Sequence, residues 1–212
     1  MKKCIAALCA LLLVCCAAAT SFAATLVKPD TPENFRALVG GKSFSARVSG
    51  LEAIGQDEDT RFLITVTVCE RDLFDAAVID SLEDGDIIRF GNGTATVVKS
   101  LVPDEFGVTV ISRMEGEAYR FDRTDDGHYT AATDTDYPFW TDVFTITVPL
   151  EKDVSFLDWS DPENLDGPVK LGFDELLDHL LEGTDFCANN TKVTFDENGR
   201  LAEFLYSYSP WN

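Results

Sequence analysis

The stretch that decides the fold runs from residue 60 to residue 69 and reads Thr-Arg-Phe-Leu-Ile-Thr-Val-Thr-Val-Cys. One set of alternating positions carries Phe62, Ile64, Val66 and Val68, and the other carries Leu63, Thr65, Thr67 and Cys69. Successive side chains of an extended chain point to opposite faces, so this period of two predicts a half-buried β-strand.

Further strand candidates follow in both directions along the chain. They cover residues 43–49, 94–102, 107–113, 117–122, 128–132, 143–149, 191–196 and 200–208. Turn sequences separate several of them, such as Gly91-Asn92-Gly93, in which Asn and Gly tolerate positive φ. Short strands joined by tight turns favour antiparallel pairing.

Helix signals are fewer and shorter. Pro32 fits a first helical position and Gly40-Gly41 ends that element, while residues 71–82 suit a short helix or a turn-rich connector. Residues 173–182 repeat leucines at helical spacing before Gly183. We therefore expect a mainly β protein, α+β by content: an antiparallel barrel-like or sandwich sheet with two or three small helices.

The N-terminus predicts an exported protein. Lys2 and Lys3 precede an apolar run over residues 5–19, and small residues follow up to Ala23, which is the layout of a cleavable signal peptide over residues 1–23. A membrane anchor is the alternative, but the run is shorter than the roughly 20 residues that span a bilayer. Residues 24–212 are expected to form a single globular domain, with 151–170 as a possible subdomain boundary.

The net negative charge of the chain excludes some classes of binding partner. Removing Lys2 and Lys3 from 17 Lys and Arg leaves 15 against 37 Asp and Glu, a formal charge of −22. Such a chain repels phosphate backbones and anionic lipids, so we expect no nucleic-acid partner. No later segment is apolar enough to cross a bilayer, so we expect no membrane span after signal removal. The acids serve solubility outside the cell, or they attract cations and basic partners.

Two cysteines, Cys69 and Cys187, remain after signal removal. In an exported protein such a pair suggests one disulfide that closes a long loop. Two buried thiols are the equal alternative, and a lone pair does not provide the four ligands of a zinc site.

An acidic turn is the best metal candidate. Asp122, Asp125 and Asp126 precede Gly127, and oxygen ligands before a glycine are typical of the start of a calcium loop. The position that should carry a bidentate Glu is Thr133, however, and a plain hairpin turn explains the same residues. We therefore expect no cofactor other than a possible Ca²⁺.

Aromatic side chains outside the regular strands suggest a binding surface. They are Tyr137, Phe139 and Trp140 in one loop, and Tyr208 and Trp211 at the end of the chain. Exposed rings form platforms for sugars or peptides, whereas the alternative is that they pack in the core or at its rim.

These features favour a non-catalytic binding or interaction module over an enzyme, and no residue is assigned a catalytic role. We expect it to be secreted, at the cell surface or periplasmic, and to bind an extracellular or cell-surface protein, peptide or glycan. Two alternatives stay open: a secreted carboxylate-dependent hydrolase and a calcium-stabilised structural or accessory domain.

Overall fold

The computed structural model describes residues 32–55 and 60–210. Strands make up 51% and helices 12%, which confirms the mainly β, α+β class. The helices are α1 (Pro32–Val39), α2 (Ala76–Ile79) and α3 (Phe173–Glu182). The strands are β1 (Ser43–Ile54), β2 (Arg61–Arg71), β3 (Leu73–Asp75), β4 (Ile87–Arg89), β5 (Ala95–Pro103), β6 (Gly107–Ser112), β7 (Ala118–Arg123), β8 (His128–Thr133), β9 (Trp140–Leu150), β10 (Ser155–Trp159), β11 (Val169–Leu171), β12 (Thr191–Phe195) and β13 (Leu201–Ser207).

The strands form two antiparallel-rich sheets, one of which curls into a half-barrel. The first sheet has seven strands in the order β11-β10-β13-β12-β1-β2-β9, and among its strand pairs in the described residues only β10–β13 is parallel. The second sheet has six strands in the order β3-β8-β7-β6-β5-β4. Within the described residues, none of the helices has the length and hydropathy needed to cross a bilayer.

The alternating stretch forms β2, as expected, and it lies between β1 and β9. Ile64, Val66 and Val68 are 0% exposed and belong to the core of the first sheet. Helices α1 and α3 pack on that core. The ring centroid of Phe35 in α1 lies 5.8 Å from that of Phe195, and the ring centroid of Phe173 in α3 lies 6.2 Å from that of Phe62. Apolar alternation on β2 thus creates the surface that the helices cover.

Helix α3 has the boundaries that the sequence predicts. The Glu175 carboxylate accepts a hydrogen bond from the Gly172 N–H at 3.0 Å, which satisfies one donor at the start of the helix. Gly183 ends the helix at φ 78°, a left-handed conformation that glycine adopts without steric cost.

The second sheet has a core of its own, which is rich in aromatic rings. Phe90 stacks on Phe139 with ring centroids 4.0 Å apart and an interplanar angle of 12°. Phe74 contacts Phe90 and Phe121 edge to face, at 6.0 and 5.2 Å. Such contacts add to the stabilisation that comes from burying the rings.

Two segments differ from the sequence-based expectation. Residues 71–82 hold the three-residue strand β3 before the four-residue helix α2. Residues 151–170, for which the sequence predicts no strand, contain β10 and the start of β11, and β10 pairs with both β13 and β11. These strands have three to five residues, too few for a periodic pattern to show in the sequence.

A buried carboxylate, Asp72, lies where the chain leaves the first sheet for the second. Its side chain accepts hydrogen bonds at 2.5 Å from the Gly91 N–H and at 2.5 Å from the Thr141 hydroxyl. Its own N–H donates to the Phe139 carbonyl at 3.1 Å. A Cβ atom on Gly91 would lie 1.5 Å from the Thr141 Oγ1 atom, so this contact requires glycine.

We expect Asp72→Ala to lower the free energy of unfolding by about 1–3 kcal/mol, because it leaves the part-buried donors of Gly91 and Thr141 without this acceptor. Urea denaturation followed by tryptophan fluorescence measures the change. Glu70→Ala removes an exposed carboxylate two positions earlier and serves as the matched control. Equal midpoints for the two variants would contradict the role given to Asp72.

Candidate functional site

The aromatic residues of the predicted loop differ in their burial. Phe139 is 7% exposed and stacks in the second core, which agrees with the alternative of core packing. Its ring is needed there to cover Phe90. Trp140 is half-buried, and its indole N–H donates to the Asn189 side-chain oxygen at 2.6 Å. Tyr137 is 42% exposed.

The aromatic residues near the C-terminus lie elsewhere. Tyr208 is 53% exposed and follows β13, where its N–H donates to the Trp159 carbonyl at 2.8 Å. Trp159 is 42% exposed, and its indole donates to the Asn164 carbonyl at 3.0 Å. Trp211 falls outside the described residues. Whether Tyr137, Trp140, Tyr208 and Trp211 bind a ligand stays a prediction.

The acidic turn forms the hairpin between β7 and β8, which is one of the two interpretations of its sequence. Asp122 accepts a hydrogen bond from Arg120 Nε at 2.7 Å, so a guanidinium already occupies this carboxylate. The Thr124 hydroxyl donates to Asp126 at 2.5 Å, and this bond is the main cause that lowers the pKa of Asp126. Across residues 32–55 and 60–210, no group of three His, Cys, Asp or Glu side chains is placed to hold a metal ion. Calcium binding stays a prediction.

Within the described residues Cys69 and Cys187 are not joined to each other, which agrees with the alternative of two thiols, although Cys187 is half-buried rather than buried. Cys69 is buried in β2, where it is paired with Asp142 of β9, whereas Cys187 lies in the connection before β12. Burial, followed by the nearby Asp142 carboxylate, raises the pKa of the Cys69 thiol to about 12. This thiol therefore stays protonated and is a poor nucleophile.

A concave surface lies on the second sheet, around the β5–β6 turn. We call it the Phe106 cleft, a hollow of about 350 Å³. Its bottom is apolar: Ile79, Val108 and Tyr129 line it and are 1%, 8% and 5% exposed. Phe106 forms one wall and is 67% exposed, although it is a large apolar side chain. A second, more open hollow lies beside Phe106 and Arg120.

The turn that carries Phe106 is held by hydrogen bonds at both ends. Asp104 Oδ1 accepts from the N–H groups of Phe106 and Gly107, at 2.8 and 3.0 Å. The Phe106 carbonyl accepts from the Arg123 N–H at 3.0 Å. A Cβ on Gly107 would lie 1.9 Å from the Phe121 carbonyl oxygen, so glycine allows the turn to approach β7 this closely. The exposed ring therefore stands on a fixed backbone.

Arg120 fixes the same turn from the neighbouring strand. Its guanidinium contacts both oxygens of Asp104 and also bonds Asp122. The hydrogen bond from Arg120 is the largest cause that lowers the pKa of Asp104 from 3.8 to about 2. Forked donation of this kind fixes geometry as well as charge.

Phe106 is not among the aromatic residues that the sequence predicts for a binding surface. The local signal was present, since Pro103, Asp104 and Gly107 are turn residues around a large aromatic ring. The same description fits Tyr137-Pro138-Phe139, whose phenylalanine is buried. Only the three-dimensional packing distinguishes the two rings.

Comparison with known proteins adds no relative. No family model, curated protein or solved structure matches the chain. The function must therefore be inferred from the geometry described above.

The Asp104 carboxylate makes the stability of the fold depend on pH. Because its pKa is lowered in the folded chain, its contribution is complete above the unfolded value of 3.8 and is lost as the pH falls through about 2. We expect Asp104→Asn to have a urea midpoint that falls less steeply than that of the wild type between about pH 5 and pH 2. Glu105→Gln, at the neighbouring position, should keep the wild-type slope. Equal slopes for Asp104→Asn and wild type would refute this role of the Arg120 contact.

Proposed function

We propose that the protein is an exported, non-catalytic binding module, and that the Phe106 cleft holds a segment of an extracellular or cell-surface polypeptide. The observation that carries the proposal is a ring 67% exposed above an apolar hollow. Exposed apolar area of this kind is costly in water and is recovered when a partner covers it.

The shape of the cleft supports a peptide side chain as the group that is bound. Ile79, Val108 and the Tyr129 ring offer an apolar bottom, and the hollow of about 350 Å³ is at the small end of ligand pockets. Exposed carboxylates and guanidinium groups surround it, which resembles the apolar centre and polar rim of protein interfaces. The hydrolase and calcium-stabilised alternatives stay predictions.

The rigidity of the wall supports the same conclusion. Asp104, Gly107 and Arg123 hold the backbone of the turn in one conformation before any partner arrives. A site that is already ordered loses little conformational entropy on binding. A single exposed ring can therefore contribute a large share of the affinity.

The test is a selection from a random peptide library displayed on phage, with the mature protein immobilised. We expect enriched peptides, and synthetic copies should bind Phe106→Ala at least about tenfold more weakly, because interface aromatic rings commonly contribute about 2 kcal/mol. Leu181→Ala removes an apolar side chain that is 65% exposed and lies outside the cleft, and it should bind as the wild type does.

Circular dichroism and urea midpoints establish that Phe106→Ala is folded, which its exposure leads us to expect. A selection that enriches no peptide would refute the proposal. Enriched peptides that bind Phe106→Ala and wild type equally would move the binding site away from this cleft.

A further inference from the structure

We infer that the partner of the Phe106 cleft is a basic polypeptide segment, and that its Lys or Arg side chain takes the place that Arg123 now occupies between Tyr129 and Asp80. The inference rests on the proposed function and adds the chemistry of the ligand. It starts from the charges around the cleft and from one weakly held arginine.

The rim of the cleft is negative. Five carboxylates line the two hollows beside Phe106, against two guanidinium groups: Asp80, Asp104, Glu105, Asp122 and Asp125, with Arg120 and Arg123. The full chain has a formal charge of −20. A positively charged segment would therefore be attracted over a distance and would find opposite charges where it binds.

The two arginines differ in how they are held. Arg120 is 23% exposed and bonds two carboxylates, so it belongs to the framework of the turn. The side chain of Arg123 is 56% exposed, and its Nη2 atom lies 3.6 Å from Asp80 Oδ2. That distance exceeds a good hydrogen bond, and an exposed pair of this kind contributes little free energy.

The surroundings of Arg123 form a site for a cation. Its guanidinium carbon lies 5.6 Å from the centroid of the Tyr129 ring, within the range of cation–π attraction. The Tyr129 hydroxyl donates to Asp80 Oδ1 at 2.8 Å, which fixes the carboxylate beside the ring. The Tyr129 ring and the Asp80 carboxylate thus form a site for one positive group. Arg123 of the same chain occupies this site, with weak contacts.

The apolar parts of the cleft account for the rest of the ligand. Phe106 and the bottom formed by Ile79 and Val108 would cover an apolar residue next to the basic one. A segment that combines Lys or Arg with Leu, Ile or an aromatic residue satisfies both halves of the surface. An acidic segment would meet five carboxylates, and the guanidinium groups of Arg120 and Arg123 beside them already contact carboxylates of the chain itself.

The experiment extends the peptide selection to charge. We expect enriched peptides to carry Lys or Arg beside an apolar residue, and replacing those basic residues by Gln should weaken binding about tenfold. Binding to the wild type should also weaken as NaCl is raised from about 50 to 300 mM.

Two variants test the exchange at Arg123. Arg123→Ala removes the competing side chain and should bind the basic peptides about two- to fivefold more tightly. Asp80→Asn removes the carboxylate charge, keeps an oxygen acceptor for Tyr129, and should bind about tenfold more weakly. Arg113→Ala changes the net charge as Arg123→Ala does. Its guanidinium pairs with Asp84 outside the cleft, so it should bind as the wild type does.

The outcomes separate this inference from the proposed function. Enriched peptides that depend on Phe106 but are neutral or acidic, or that lose binding in Arg123→Ala, would overturn the basic ligand and leave the binding module intact. A selection that enriches no peptide would overturn both. An unchanged affinity in Arg123→Ala and Asp80→Asn would place the basic side chain elsewhere on the rim.

Discussion

The carboxylate of Asp72 determines how the two sheets meet. A buried charge is costly unless its oxygens accept hydrogen bonds, and here the Gly91 N–H and the Thr141 hydroxyl provide them. Gly91 follows Phe90, and the Asp72 N–H bonds the carbonyl of Phe139, so one residue positions both rings of the stacked pair. The hydrogen bonds of Asp72 therefore lie next to the aromatic core of the second sheet.

The Phe106 cleft depends on Asp72 indirectly, through the buried residues of that core. Its bottom consists of Ile79, Val108 and Tyr129, which belong to the same buried cluster as Phe90 and Phe139. Its wall is held separately by the ion pair between Asp104 and Arg120, in which the Asp104 carboxylate is exposed to solvent. The apolar bottom is therefore protected by packing, while the wall is maintained by charge.

The sequence predicts the elements that local periodicity marks. It does not predict the elements that depend on contacts with distant parts of the chain. The alternation on β2 and the leucine spacing of α3 are long enough to be read, and both elements lie where they were expected. Strand β11 has three residues and gains its hydrogen bonds from β10, so nothing in its own sequence marks it.

The candidate site shows the same division. Phe106 and Phe139 both follow turn residues, yet one is 67% exposed and the other 7%. Arg120 and Asp104 are sixteen positions apart and meet because successive hairpins place β7 beside the β5–β6 turn. Contacts of this kind follow from strand order, which sequence patterns do not fix.

The absence of a bond between Cys69 and Cys187 has a consequence for how the chain folds. Cys69 is shielded within the first sheet, and the described fold holds together without a covalent cross-link between Cys69 and Cys187. Folding to this structure therefore requires no oxidation of Cys69 and Cys187 to a common disulfide. Neither an oxidase nor a disulfide isomerase is needed to pair these two cysteines.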